Sequence, residues 1–479
     1  MLKTETTPLV QSQTPTSGSK SKLIKFGAVA AVVVGGIVVY FTTRPSAAST
    51  PSVGTDSMTA SFCDPNVKHE FGYIQLPHKV NDHYFYSFFE SRNNPATDPL
   101  VVWLEGGPGS SSTWAMFNIN GPCSINNDLN GTTINPYSWT NNASVLWLDQ
   151  PTGVGFSYGD VGDDDSNEVD VGCNFYAFMQ GWLTKHPHFQ SNPFFITGQS
   201  YGGHYVPATA NYIVRQQTAQ RDANTTIHIN LQGIAIGNGL TDTVTQMPFS
   251  VNMAVANSYN VSLVTSAELQ QMQVDAKTLE SLLSQCQQPN ETKACLQSVE
   301  YWDERIMSPM VTNPTRNIYD LRDPCSPNCS DYGMNKTNDF LNKVWVQRLM
   351  GVNKGFVWSN DTVHNEFGVD FAKSTAHFVP EILAAGVRVL LYVGDADLIC
   401  DWKGNDAWAK KLEWGGKATY NAAAVVPLQV DGKEAGQVRS GRGLSFARVY
   451  GAGHCAPADQ PYVSLALLNR FFQNLPLEN

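Results

Sequence analysis

Ser200 stands between two glycines in Gly198-Gln199-Ser200-Tyr201-Gly202, directly after the apolar run Pro193-Phe194-Phe195-Ile196-Thr197. A serine pinched in this way, after a strand and ahead of a helix, is forced into a sharp turn that exposes its hydroxyl. The glycines are required because a side chain at either position would strike neighbouring backbone. The five-residue pattern also arises by chance in ordinary loops, so its meaning depends on what surrounds it.

A serine hydroxyl is a weak nucleophile. It needs a histidine to take its proton and a carboxylate to orient that histidine. Two later strand-like runs end in such groups: 387–393 leads into Gly394-Asp395-Ala396-Asp397, and 444–450 leads into Gly451-Ala452-Gly453-His454. In a parallel sheet the carboxyl ends of the strands share one edge, where sites form. The order Ser, Asp, His is that of α/β-hydrolases. From the residues alone, Asp395 and Asp397 compete as the orienting acid. Each group singly also reads as a loop cap or a hydrogen-bonded loop histidine, but all three together favour catalysis.

Further strand candidates are 100–104, 145–148, 194–197 and 231–236, and they alternate with helix candidates at 169–184, 208–221 and 462–474. That alternation indicates βαβ units and a mostly parallel sheet. The rhythm changes between 246 and 372, where strand signals fade. Helices are predicted there at 266–286, with Ser266 as N-cap and Glu268 in the first turn, and at 338–350. The organisation expected is therefore an α/β domain of 63–245 and 373–479 carrying a helical cap of 246–372. The acidic run 160–170 fits no calcium-loop spacing and reads as a solvated loop entering a helix.

The amino end differs from this body. Residues 1–22 are polar and read as a disordered tail. No charge interrupts 26–41, and Lys20, Lys22 and Lys25 precede that run. With its flanks it reaches spanning length, and positive charge tends to stay cytoplasmic. Residues 23–43 are thus predicted to be an uncleaved anchor with the amino end inside, followed by a flexible stalk at 44–62. The chain then reads as a single-pass type II membrane protein with a lumenal or extracellular body. Cleavage near Ala47-Ala48 is the competing reading, and the long polar tail ahead of the apolar run argues against it.

Nine cysteines and eight N-x-S/T triplets, headed by Asn130, Asn142, Asn224, Asn260, Asn290, Asn328, Asn335 and Asn360, agree with a lumenal, glycosylated body. An odd cysteine count leaves at least one thiol free. Cys286 and Cys295 flank a short polar loop and are candidates to pair. No cysteine spacing resembles a zinc site, and His186 and His188 read as solvated loop residues, so no metal and no cofactor is expected. The formal net charge is −11, and without a basic cluster in the body nucleic-acid binding is not expected.

Several runs resemble the serine carboxypeptidase family. Val101 through Ser112 (VVWLEGGPGSSS) is similar to the signature WLNGGPGCSS, and Gln199 through Pro207 (QSYGGHYVP) to ESYAGHYVP. Asn135 through Trp139, Leu148 through Pro151, Gly155 through Tyr158, Ile234 through Asp242, Gly394 through Asp397 and Gly453 through Pro461 complete the set, which spans about 63–479. The resemblance implies an α/β-hydrolase fold with a helical cap. It also implies an acid-active exopeptidase that takes peptides with a free C-terminus, and it allows a homodimer. Matching by motif makes Asp397 the triad acid beside Ser200 and His454, and assigns the oxyanion hole to the N–H groups of Gly107 and Tyr201.

This chain departs from that pattern at the clamp for the substrate carboxylate. The family's Asn, backbone N–H, Glu and second Glu fall here on Glu105, Gly106, Gln199 and Ile119. The Asn/Glu pair has become Glu/Gln, and the third side chain is lost. A protonated Glu105 and the Gln199 amide would form an exchanged clamp that still favours acid pH. A broken clamp would instead point to acyltransferase or esterase chemistry, and a non-catalytic tethered binding protein is the reading from a different class. By resemblance, Cys400 and Cys455 line the substrate cleft. Cys455 stands where the family often has Met, and two buried thiols that only pack are the competing account. Ser110 replaces the family's usual Cys, so one family disulfide is expected to be missing.

Overall fold

The computed structural model describes residues 62–219, 226–326 and 328–478. The expectations for 1–22, 23–43 and all but the last residue of 44–62 lie outside them, as does Asn224. Among the described residues no helix is long and apolar enough to cross a membrane.

Ten strands form one sheet: β1 (His69–Gln75), β2 (His83–Phe89), β3 (Leu100–Leu104), β6 (Ser144–Asp149), β7 (Phe194–Ser200), β8 (Leu231–Gly239), β9 (Arg388–Gly394), β10 (Val426–Val430), β11 (Lys433–Gly441) and β12 (Leu444–Val449). A separate hairpin pairs β4 (Cys123–Ile125) with β5 (Thr132–Ile134). The order β1-β2-β6-β3-β7-β8-β9-β12-β11-β10 puts six parallel strands, β6 to β12, at the centre. Antiparallel pairs flank them on both sides. This is the α/β-hydrolase architecture, with its parallel strands running to a common edge.

The central strands are the ones legible as apolar runs, because they are buried on both faces. Every residue of β3 and β6 is buried. The flanking strands lack that signature. The outermost, β10, carries Pro427 where an edge strand tolerates a missing N–H, and β11 (KEAGQVRSG) keeps only alternate positions buried.

Helix α1 (Ser112–Asn118) follows β3, α2 (Glu168–Lys185) precedes β7, and α3 (Gly202–Ala219) follows it. α3 begins six residues before the predicted 208, immediately after the turn at Ser200. Pro207 lies inside it and leaves the Gly203 carbonyl without its usual helical donor. The Thr375 hydroxyl takes that role, 3.1 Å from Gly203 O.

The segment between β8 and β9 is helical. Its long helix Ser266–Cys286 is capped by Thr265, one residue earlier than expected, in a reciprocal box with Glu268. The predicted 338–350 helix is two, Met334–Leu341 and Val344–Met350. Asn342 ends the first, giving both ends of its amide to the Phe356 backbone. Disulfides join Cys63 to Cys123, Cys286 to Cys295 and Cys325 to Cys329, leaving Cys173, Cys400 and Cys455 free.

Two surface expectations are corrected. Asp163 and Asp165 are buried rather than solvated. Asp163 accepts from the N–H groups of Val80, Asn81 and Asp160, and Asp165 pairs with Lys79 at 2.8 Å. His186 is not a free loop residue either. It stacks on Trp182 and bonds Glu70 at 2.9 Å.

Candidate active site

Ser200 is the last residue of β7 and holds φ at +59°, a left-handed conformation uncommon for a non-glycine residue and characteristic of functional turns. The turn fits because its glycines lack side chains. A Cβ on Gly198 would sit 2.4 Å, and one on Gly202 2.8 Å, from the Leu104 carbonyl at the end of β3. The loop after β3 presses equally close: a Cβ on Gly106 would lie 2.5 Å from Tyr201 N and 2.7 Å from Ser200 Cβ. The elbow and the Gly106-Gly107 loop are therefore one packed unit.

The adjacent strands β9 and β12 deliver the other two groups at the same sheet edge. Asp397 Oδ2 lies 2.8 Å from His454 Nδ1, with both side chains buried. Burial works against a charge on the imidazole, but Asp397 outweighs it and raises the His454 pKa. Asp395, the competitor, is engaged elsewhere. It accepts from Tyr259 Oη at 2.5 Å, Gly451 N at 3.1 Å and Arg448 Nη2 at 3.0 Å. No hydrogen bond joins Ser200 Oγ to the His454 ring among the described residues, in keeping with catalytic hydrogen bonds that tighten only with substrate. Their neighbours do meet: Gln199 Nε2 lies 3.3 Å from Cys455 Sγ.

Two residues without an assigned role support this pair. Asn238, at the end of β8 with φ +38°, donates to Asp397 Oδ2 at 2.9 Å and accepts from Gly394 N at 2.9 Å. A lone Asn between glycines at a strand's carboxyl end was the signal available for it. Tyr319, from the helical segment, accepts the His454 backbone N–H through its carbonyl at 2.8 Å, and its ring packs 5.1 Å from the imidazole. Nothing local in the sequence marks that contact.

The predicted carboxylate clamp forms a connected cluster. Glu105 is buried and accepts from Trp103 Nε1, Gly106 N and Gln199 Nε2, each at 3.1 Å. Burial nevertheless pushes its pKa up to about 7. Gln199 Oε1 is buried without a partner. Ile119, in the lost third position, is buried at the end of α1. Gly107 adopts φ +110° ahead of Pro108, and neither its N–H nor that of Tyr201 is given to another acceptor among the described residues. Cys400 and Cys455 are both buried, and burial raises both thiols well above their ordinary range. Among the described residues no group of side chains could hold a metal ion.

The family model for serine carboxypeptidases matches residues 60–474. The chain belongs to the serine carboxypeptidase family. It is a hydrolase, a serine-type carboxypeptidase acting on peptides. A carboxypeptidase Y homolog A of Fusarium vanettenii is 38% identical over 85% of this chain and 74% of its own length. A vacuolar serine-type carboxypeptidase of Saccharomyces cerevisiae is 37% identical over 87% and 83%. The crystal structure of Kex1, a prohormone-processing carboxypeptidase from Saccharomyces cerevisiae, superposes with a TM-score of 0.74 at 23% identity, covering 86% of this chain and 93% of that one. It is similar in fold.

Proposed function

We propose that Ser200, His454 and Asp397 carry out the carboxypeptidase reaction through an acyl-enzyme. Ser200 Oγ attacks the carbonyl carbon of the last peptide bond while His454 Nε2 takes its proton. His454 returns that proton to the leaving amine as the C–N bond breaks, then draws one from the water that attacks the ester and gives it to Ser200 Oγ as the acyl C–O bond breaks. Asp397 keeps the imidazole in the required tautomer. The Gly107 and Tyr201 N–H groups hold the developing oxyanion, each worth about 3–4 kcal/mol in comparable hydrolases. The observation that carries this reading is the 2.8 Å Asp397–His454 contact at the strand edge that also presents Ser200.

Glu105, Gly106 and Gln199 then recognise the substrate's C-terminal carboxylate, with Glu105 protonated, which makes the enzyme acid-active. Cys400 and Cys455 wall the cleft. The family and the vacuolar relative support a secretory or vacuolar setting. The anchor at 23–43, glycosylation of the body and a homodimer belong to the same reading. One observation favours a second activity: in its charged state Glu105 already occupies the Gly106 and Gln199 donors, which suits ester or acyl-transfer substrates without a terminal carboxylate.

The deciding experiment offers N-blocked dipeptides as free acid, C-terminal amide and ester from about pH 4 to pH 8. Release of the last residue from the free acid at low pH, lost in Ser200→Ala, is expected. Ester cleavage with no preference for the free acid would replace carboxypeptidase by esterase or acyltransferase chemistry.

A further inference from the structure

Tyr201 supplies a backbone N–H to the proposed oxyanion hole, and its side chain runs into a second, unassigned cluster of acids. The ring stacks on His204 at 4.3 Å and on Phe371 at 5.6 Å, and the hydroxyl donates to Asp370 Oδ2 at 3.0 Å. Beside them lies Glu168, the first residue of α2, 6% exposed. Neither Glu168 oxygen meets a donor in hydrogen-bond geometry. The Tyr201 hydroxyl favours its charge, but that proton is given to Asp370.

The two carboxyls are unequally served. Asp370 has the Tyr201 hydroxyl, the Lys373 charge and the Glu168 backbone N–H at the start of α2, where the helix dipole favours an anion. Glu168 faces the charges of Asp370 and Asp165. Two neighbouring carboxyls, one of them buried, ionise together only at a cost.

We propose that Glu168 and Asp370 are positioning residues that keep Tyr201, and through it the oxyanion N–H, in place only while the pair retains one proton. Asp370 holds the Tyr201 hydroxyl as the anion, and Glu168 carries the proton. When Glu168 loses it, two adjacent anions compete for one hydroxyl, and the repulsion is relieved by moving Tyr201 or Asp370. A cavity of about 520 Å³ lined by Glu168, Asp370 and Lys373 gives the pair room to separate. Burial raises the Glu168 pKa well above the ordinary carboxyl range and that of Asp370 to about 6.

The other titratable groups facing the pair are Tyr205, Asp170, and the Lys373 amine, which also donates to the Cys286 carbonyl. His204 places both ring nitrogens against carbonyls, of Leu240 and Lys373. Burial keeps the ring neutral above about pH 4, so it does not change charge where Glu168 does.

The proposal rests on the hydrolase reading of Ser200 and on no property of the carboxylate clamp. An ester substrate, which bypasses the clamp, is therefore the probe. The full chain and its Glu168→Gln and Asp370→Asn variants are assayed for kcat and KM on a blocked ester from about pH 5 to pH 9. The expected wild-type kcat falls about tenfold per pH unit once Glu168 ionises, with KM unchanged. Glu168→Gln keeps the wild-type kcat at pH 5 and removes that fall. Asp370→Asn moves the fall to lower pH, because the neighbouring anion that helps Glu168 keep its proton is gone and the Glu168 anion then draws the Tyr201 hydroxyl away. Superimposable alkaline limbs for wild type and a folded Glu168→Gln overturn the proposal, as does a fall expressed only in KM. Should Glu168→Gln not fold, an unmoved limb in Asp370→Asn overturns it equally. Failure of the carboxypeptidase reading looks different: the free-acid dipeptide is then not cleaved by any of the proteins, whatever the ester profiles.

Discussion

The Gln199 amide nitrogen lies 3.1 Å from Glu105 Oε1, inside a cluster whose donors all converge on that one buried carboxyl. Burial holds Glu105 at about 7, against an ordinary value near ~4.3, so it is uncharged below pH 7 and charged above. Uncharged, it can donate to a substrate carboxylate. Charged, it repels one. Free-acid kcat/KM is expected to fall by about tenfold per pH unit beyond pH 7, chiefly through KM, while Glu105→Gln holds its activity to pH 8. An unmoved free-acid profile in that variant would remove Glu105 from the clamp. The folded-state pKa lies above the unfolded one, so the carboxyl's contribution to stability is complete below about pH 4 and is lost as pH rises through 7. Glu105→Gln should accordingly shrink the difference in Tm between pH 5 and pH 8.

Asp395 and Asp397 are separable by what their loss damages. Asp397→Asn is expected to lower kcat by about 10⁴-fold with little change in Tm, because the imidazole would adopt the wrong tautomer. Asp395→Ala leaves Arg448, 17% exposed, without its carboxylate partner, and losing a hydrogen bond to a charged group costs about 1.5–3 kcal/mol. Its Tm should fall while kcat of the folded fraction stays near wild type. Parallel measurement of Tm and kcat checks both. The reverse pattern would exchange the two roles.

The sheet's centre and its site edge were legible because both-face burial writes unbroken apolar runs, and because Ser200, Asp397 and His454 each follow such a run. What escaped had a physical reason in each case. β10 and β11 lie at an edge where polar residues and Pro427 are allowed. α3 runs through Pro207 because the distant Thr375 supplies the missing donor, a partner that no local pattern reveals. The burial of Asp163 and Asp165 depends on Lys79 and on backbone N–H groups across the fold, and an acidic run alone does not reveal such partners. From the residues alone Asp395 and Asp397 are level and only the family motif favours Asp397; the engagement of Asp395 by Arg448 and Tyr259 is a contact that no local pattern reveals.

The Cys63–Cys123 disulfide ties the start of the described body to the hairpin after α1 across a separation of 60 residues. Closing a loop of that length limits the unfolded chain and should stabilise the fold by about 4 kcal/mol in the chain-entropy treatment. Replacing both cysteines by serine is expected to lower the free energy of unfolding by that order, measured by urea denaturation. The sheet edge holding Ser200 is built without this bridge, so kcat of the folded variant should be unchanged. A loss below about 1 kcal/mol would mean that the reduced chain already keeps these ends together when unfolded.

Asn238 gives the sharpest test of how the acid is held. Its amide donates to the same Asp397 oxygen that meets His454, while its carbonyl oxygen takes the Gly394 N–H, fixing the start of the loop that carries Asp397. The remaining support for Asp397 comes from the N–H groups of Ile399 and Cys400, at longer distances of 3.2 and 3.3 Å. Removing a hydrogen bond to a charged group costs about 1.5–3 kcal/mol. Where that bond sets the orientation of the acid, the cost appears as roughly 10- to 100-fold in kcat. Asn238→Ala should show this loss with KM nearly unchanged. It should also move the acid limb of the kcat profile upward, since a carboxylate with fewer donors holds His454 in its charged, inactive form to higher pH. An equal loss at every pH, accompanied by a lower Tm, would instead assign Asn238 to the packing of β8 against β9.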